Sequence, residues 1–125
     1  MYSTSFAYDS AYVPSAPVAT IQVRSKSAVE LVALLDSGAD GTMIPIDVLG
    51  QIGARYQETR YMRGVTGVRQ TADLYLITVQ IGPHKITGIR ATAVSVGSEA
   101  ILGRDVLNHL IVTLNGLANV TEIAY

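Results

Sequence analysis

Cysteine is absent from the 125 residues, which excludes a disulfide framework, a thiol nucleophile and a thiolate metal site. Histidine is scarce: His84 and His109 stand isolated and are too few for a histidine-rich zinc site. Neither a metal nor another cofactor is expected. An excess of charge of one sign is lacking as well. Nine Lys and Arg, scattered along the chain, face ten Asp and Glu, for a net charge of −1. That gives no electrostatic case for nucleic acid or for an anionic membrane surface. No apolar run approaches the roughly 18 residues of a membrane span. The N-terminus has neither the basic start nor the apolar block of a signal peptide. On these grounds the cytoplasm is the expected compartment.

What the chain has in plenty is apolar surface. Hydrophobic residues make up 49% and charged ones 15%, an apolar balance for a soluble monomer. At 125 residues there is room for one domain with a core of its own and not for two. The apolar excess therefore points to a subunit interface.

Residues 1–17 are rich in Ser, Ala and Tyr, and Pro14 and Pro17 break regular structure there. They are expected to form an N-terminal arm, either a loose terminus or one whose residues 8–13 dock at a subunit interface. Residues 18–125 then make a single domain. The alternating, β-branched stretch 18–23 and the nearly all-apolar stretch 29–35 predict two strands, the second buried on both faces near its end. A short strand over 42–46, broken by Pro45, and a helical turn over 47–52 follow. Residues 56–68 are polar and hold Gly64-Val65-Thr66-Gly67, whose glycines suit the tip of a hairpin that must move. Residues 74–81 and 86–96 predict paired strands around Gly82-Pro83-His84-Lys85. A strand over 100–102 ends at Gly103, and Val106, Leu107 and Leu110 give one apolar side to a two-turn helix over 104–110. Residues 111–114 and 117–123 predict a terminal hairpin about Asn115-Gly116, the strongest short-range hairpin signal. The whole reads as all-β, a small closed or sandwich-like domain with one or two short helices.

Chemistry concentrates in Leu34-Leu35-Asp36-Ser37-Gly38-Ala39-Asp40, where an apolar strand runs into a tight turn that begins with a carboxylate. Such a carboxylate is either solvated and inert or held partly desolvated, as acid–base chemistry requires. A calcium loop would use Asp36, Asp40, Gly41 and Asp47 at its first, fifth, sixth and twelfth positions. It fails on Gly38 at the third, on Asp in place of a bidentate Glu at the twelfth, and on an entering strand instead of a helix. A nucleophilic Ser37 would need a glycine two residues earlier, where Leu35 stands. A plain Asp-Ser-Gly turn that ends a strand would account for the tripeptide by itself. The rest of the chain argues against so bland a reading.

The stretch from Leu34 to Asp40 resembles the active-site signature of retropepsin-like aspartic proteases, and further likenesses follow in order. Gly64 to Gly67 resembles a flap tip, and Val68-Arg69-Gln70 comes after it. Gly82-Pro83-His84-Lys85-Ile86 falls in the next hairpin. Finally, Ala100-Ile101-Leu102-Gly103-Arg104-Asp105-Val106-Leu107 is similar to the family's apolar-apolar-Gly-Arg-Asn/Asp block. The likeness spans residues 18–114, and two separated motifs at the right spacing are more specific than one. The fold it implies is a closed retropepsin-like β-barrel in a C2 homodimer. The activity it implies is that of an aspartic endopeptidase on peptide or protein substrates. Asp36 would be the catalytic aspartate, with the Ser37 hydroxyl and the Gly38 N–H supporting it. Ala39 and Asp40 would contact substrate backbone, and Arg104 would pair with Asp40 and tie the helix to the loop. Gly64, Val65 and Thr66 would close over bound peptide. Val65, Ile101 and residues near Ile44 would form apolar subsite walls, which favours hydrophobic side chains flanking the cut.

Only one such aspartate occurs per chain, and this route of peptide hydrolysis needs two that share a proton. Like charges about 3 Å apart cannot both ionise, and aspartic-protease dyads are the standard instance of the resulting split. A second chain must then supply the second Asp36 across a two-fold axis. The sequence departs from the family pattern in three ways. Ser37 replaces the commoner threonine, no interfacial arginine stands near Pro14 to Pro17, and residues 117–125 extend beyond the viral pattern. That extension resembles free-standing prokaryotic members, and residues 111–123 are expected at the dimer interface. The alternative function is a dimeric module that binds peptides or partners with little turnover, or one that processes only its own N-terminal arm.

Overall fold

In the computed structural model the chain runs β1 (Ser3–Ala7), β2 (Val18–Arg24), β3 (Ala28–Leu35), β4 (Met43–Pro45), α1 (Ile46–Gln51), β5 (Arg55–Arg63), β6 (Arg69–Ile81), β7 (His84–Val94), β8 (Ala100–Leu102), α2 (Arg104–Leu107), β9 (Ile111–Asn115) and β10 (Val120–Ala124). The structure describes residues 2–63, 67 and 69–125.

Six strands close on themselves in the order β2-β3-β8-β4-β7-β6, with β6 returning to β2 through Gln22↔Gln80, Val23↔Val79 and Arg24↔Thr78. Closure removes the open edges that a flat sheet would expose. Alternation in β2 turns Ala19, Ile21 and Val23 inward, where they meet Val79 and Ile81 of β6 and Ile44 of β4. Leu49 and Ile52 of the α1 region and Leu102 and Val106 around α2 complete a core from which water is excluded. The expected all-β barrel with two short helices is what the chain forms. Helix α2 is shorter than the predicted two turns. After Leu107 the chain goes on in tight turns, with the N–H of His109 on Val106 and that of Leu110 on Leu107.

The 13 residues of β6 serve three partners, with β7 alongside from Leu74 to Ile81. The Thr78–Gln80 end closes the barrel, while the part from Arg69 to Leu76 pairs with β5, which has no other neighbour. The β5–β6 hairpin therefore projects from the barrel. Its outer part carries little of the apolar alternation that marks 74–81, because Arg69, Gln70 and Thr71 are all exposed. For that reason β6 begins earlier than the pattern predicts. Its tip, with Gly64, Val65 and Thr66, lies outside the described residues.

A second sheet, β1-β10-β9, packs beside the barrel. Residues 3–7, expected in an irregular arm, pair in antiparallel register with β10 from Ser3↔Ala124 to Ala7↔Val120. The prolines that argued against structure lie further on, in the crossing to β2. That crossing is fixed by paired backbone bonds between Asp9 and Ala16 at 2.9 and 3.1 Å and by the Tyr12 hydroxyl donating to Glu99. The Glu99 carboxylate holds that proton and pushes the Tyr12 phenol up to about 12. Tyr125 stacks on His84 at 3.9 Å between ring centroids and packs against Tyr2 at 5.3 Å, which clamps one end of the β1–β10 ladder to the β6–β7 turn. In that turn Ile81↔His84 leaves Gly82-Pro83 as the two central residues. Gly82 has φ +57°, as a type II′ turn requires.

The terminal hairpin forms, with a different loop from the one expected. Asn115↔Val120 leaves residues 116–119 unpaired, and the positive φ, 54°, belongs to Asn119. The Asn115 side chain accepts the Ala118 N–H at 3.0 Å and so caps a four-residue loop. Among the described residues no helix is long and apolar enough to cross a membrane.

One buried group in this sheet is unsatisfied. Thr121 is 0% exposed and its hydroxyl has no partner among the described residues. Burying a hydroxyl without a hydrogen bond costs about 1–3 kcal/mol. Thr121→Val should therefore raise the stability measured by urea unfolding, by about 1 kcal/mol.

Candidate active site

Strands β3 and β8 run parallel, in register at Leu34↔Ile101 and Leu35↔Leu102. The pairing continues one residue on, where the Asp36 N–H donates to the Leu102 carbonyl at 3.0 Å. From there the chain turns sharply, and the Ala39 N–H donates back to the Asp36 carbonyl at 3.1 Å. Asp36 is half-buried, whereas Ser37 and Gly38 are exposed. The Gly38 N–H donates to Asp36 Oδ1 at 2.9 Å. A Cβ on Gly38 would stand 3.1 Å from that same oxygen, so the missing side chain lets the donor approach.

The loop rests on the start of α2. A Cβ on Gly103 would fall 2.5 Å from the Gly41 carbonyl carbon and 2.6 Å from its oxygen, so no larger residue fits there. Next to it, the Arg104 N–H donates to the Ala39 carbonyl at 2.9 Å. The Arg104 guanidinium donates to the Ser37 carbonyl at 2.7 Å and also pairs with the Asp40 carboxylate. Both sides of the tripeptide are thus held by one arginine.

Sequence reasoning missed the inner half of this junction. Thr42 is wholly buried; its hydroxyl donates to Asp105 Oδ1 at 2.8 Å and its N–H to Oδ2 at 3.1 Å. The same hydroxyl accepts the Gly103 N–H at 3.2 Å, and Asp105 Oδ1 also takes the Val106 N–H at 2.9 Å. A polar residue inside the apolar stretch 42–46 and an Asp opening a helix were the available signals. Nothing local connects them.

Two of the three carboxylates near the loop are therefore committed, Asp40 to Arg104 and Asp105 to Thr42. Asp36 accepts from Gly38 alone among the described residues, with no cation beside it. From the loop an open groove of about 800 Å³ runs along the barrel, lined by Gly38, Ala39 and Asp40 and floored by Met43, Thr92 and Leu74. The floor is one cross-strand row, Met43↔Thr92↔Leu74.

Among the residues singled out from the sequence, Ala39 and Asp40 line the groove. Ile101 is half-buried in β8, between Leu34 and Met43 in the same row, and does not line it. Ile44 is completely buried, so Met43, pointing the other way, takes its place at the groove. Gly64, Val65 and Thr66 lie outside the described residues. Gly67 is described, with φ +76°.

Residues 19–109, more than half of the chain, match the family described as "gag-polyprotein putative aspartyl protease". The chain belongs to this family of aspartyl proteases. No curated protein matches the sequence. Among solved structures, a retropepsin-like aspartic protease from Rickettsia conorii is similar with a TM-score of 0.67 at 13% identity, covering 98% of this chain and 90% of that one. The EIAV protease, solved with the inhibitor HBY-793, is similar with a TM-score of 0.60 at 22% identity, over 75% of this chain and 86% of its own. The simian foamy virus (mac) protease follows at 0.54 and 21%, over 70% and 87%. The fold is retropepsin-like. The match to the Rickettsia conorii protein thus takes in 98% of this chain, against 75 and 70% for the two viral proteases.

For this aspartyl protease, Thr42→Val removes one donor from Asp105 and the acceptor of the Gly103 N–H. Losing those two bonds, with the buried Gly103 N–H left unpaired, should cost about 1–3 kcal/mol in urea unfolding. The β-sheet circular dichroism should be retained.

Proposed function

We propose that this chain is a homodimeric aspartic endopeptidase in which Asp36 from each subunit forms the reacting pair. The observation that carries this reading is that, among the described residues, Asp36 has no second free carboxylate beside it: Asp40 and Asp105, the near candidates, are already bound. One Asp36 then acts as base on a water, while its counterpart, protonated, donates to the peptide carbonyl oxygen. Because one partner must be ionised and the other protonated, the rate falls on both sides of an optimum. Ser37 and Gly38 support the pair, and Ala39 and Asp40 hold peptide backbone along the groove. The β5–β6 hairpin, with Gly64, Val65 and Thr66 at its tip, is the flap over the substrate. Ile101 completes a subsite wall once the second subunit is in place. Arg104 and the Thr42–Asp105 bonds hold the loop to α2.

The surface that joins the subunits is β9. It is the outer strand of its sheet on one side, with its own N–H and C=O groups free to pair. Val112 and Leu114 stand opposite Ile123 and Thr121 and so share their inward face, yet Leu114 is 56% exposed and Ile111 on the other face 55%. An apolar edge of this kind is stable in water when a second strand covers it. Removing residues 117–125 would delete the central strand of this sheet, with the wholly buried Ile123, so charge at the edge is the cleaner probe.

Asp36→Asn should abolish cleavage of a peptide library at pH 4 to 7, at least a thousandfold below wild type, with unfolding stability kept; equal activity would overturn the dyad. Ile111→Lys with Leu114→Lys should shift the wild-type dimer to monomer in sedimentation velocity and remove activity, with unchanged circular dichroism. A dimer that persists in that double variant would place the interface elsewhere.

A further inference from the structure

The nine basic residues read as scattered along the chain, but the fold gathers several of them. The β5–β6 hairpin carries Arg55, Arg60 and Arg69 against Glu58 and Asp73, three positive charges to two negative among the described side chains. Arg90 of β7 adds a fourth, since Leu76↔Arg90 brings it beside the same hairpin. Two of these arginines, Arg60 and Arg90, line the groove that starts at the Asp-Ser-Gly loop.

Their charge is only half balanced. Glu58 Oε1 stands 2.6 Å from Arg60 Nε and 3.8 Å from Arg90 Nη1, so one carboxylate is shared by two guanidinium groups. Each guanidinium has five N–H donors in a planar fork. Glu58 engages one on Arg60, and its distance to Arg90 is beyond a hydrogen bond. The side chains of both arginines remain exposed, at 56 and 55%, which leaves donors free to meet a ligand. Across the groove, Asp40 is neutralised by Arg104 and Asp105 is occupied by Thr42 and the Val106 N–H. Neither carboxylate is left over to neutralise Arg60 or Arg90. The near wall at Ala39, Met43 and Leu74 is apolar, so the polarity changes along the length of the groove.

We propose that Arg60 and Arg90 select substrates with an acidic side chain, Asp or Glu, at a position away from the bond cut. Peptide backbone lies along Ala39 and Asp40, and the acidic side chain meets the guanidinium forks on the far wall. Glu58 is the internal competitor for the same donors. This rests on the proteolytic reading above and deepens it by naming a substrate class.

The test takes a peptide that the wild-type dimer cleaves and places Glu, Gln or Lys at each position in turn. The expected result is one position, outside the pair flanking the cut, where Glu exceeds Gln in kcat/KM by about three- to fivefold. That preference should shrink at 0.5 M salt, since exposed charges are screened. Arg60→Gln and Arg90→Gln should each reduce it, and Glu58→Gln should enlarge it by freeing the donors. A merely structural arginine would lower the rate on all peptides alike and give no opposite effect from Glu58→Gln. Cleavage that ignores the charge at every position overturns the inference and leaves proteolysis standing. Absence of cleavage of any peptide overturns the proteolytic reading; tighter binding of the Glu than the Gln peptide to the Asp36→Asn protein would still uphold the acidic preference of the groove.

Discussion

The contact between Gly103 and the backbone of Gly41 is the constraint on which the site depends. A carbonyl of the loop sits where any β-carbon on Gly103 would have to be. Because the two backbones touch, Arg104 can span from the Ser37 carbonyl to the Asp40 carboxylate, and Asp105 can take both donors of Thr42. The loop is then fixed from outside by a charged pair and from inside by a buried one. The inner attachment carries more weight, since the exposed pair is screened by water and the buried one would leave unsatisfied groups if broken. Asp36 needs no direct tether of its own. Its position is set by β3 pairing with β8 and by a loop that cannot shift.

Around that junction the barrel assigns different work to the two ends of its longest strand. One end of β6 closes the ring against β2, so it is apolar and buried; the other pairs only with β5 and stands in water. A projecting hairpin is a consequence of that division, because β5 has no second neighbour to hold it to the barrel. The same logic applies at the other side of the molecule. The β1-β10-β9 sheet docks through Ile123 and Phe6, and β9 overhangs with Leu114 uncovered. This apolar edge adds to exposed apolar side chains elsewhere, among them Val13, Val32 and Val96.

Much of this was legible from the sequence. The alternation in 18–23 and 74–81, the apolar run into Asp36 and the Gly103–Arg104 pair mark themselves locally, since strand period and turn chemistry act over a few residues. What failed to show has a common physical origin. β1 is short, with Ser or Thr at three of its five positions, and its partner β10 is more than a hundred positions away in sequence. The outer part of β6 is exposed on both faces and carries no period to read. The loop after β9 took four residues in place of two because the Asn115 side chain caps it, a choice that Asn-Gly alone does not determine.

By itself the sequence determined the Asp-Ser-Gly tripeptide, the family pattern, the all-β class and the single occurrence of that tripeptide, because each is a matter of adjacent residues or of counting. Tertiary structure decided which carboxylates are committed, that Thr42 meets Asp105 across 63 positions, and that Arg60 and Arg90 share Glu58 at the groove wall. Those pairings depend on barrel closure bringing distant strands into one row. Distance along a chain leaves no periodic mark, so only the fold could make them neighbours.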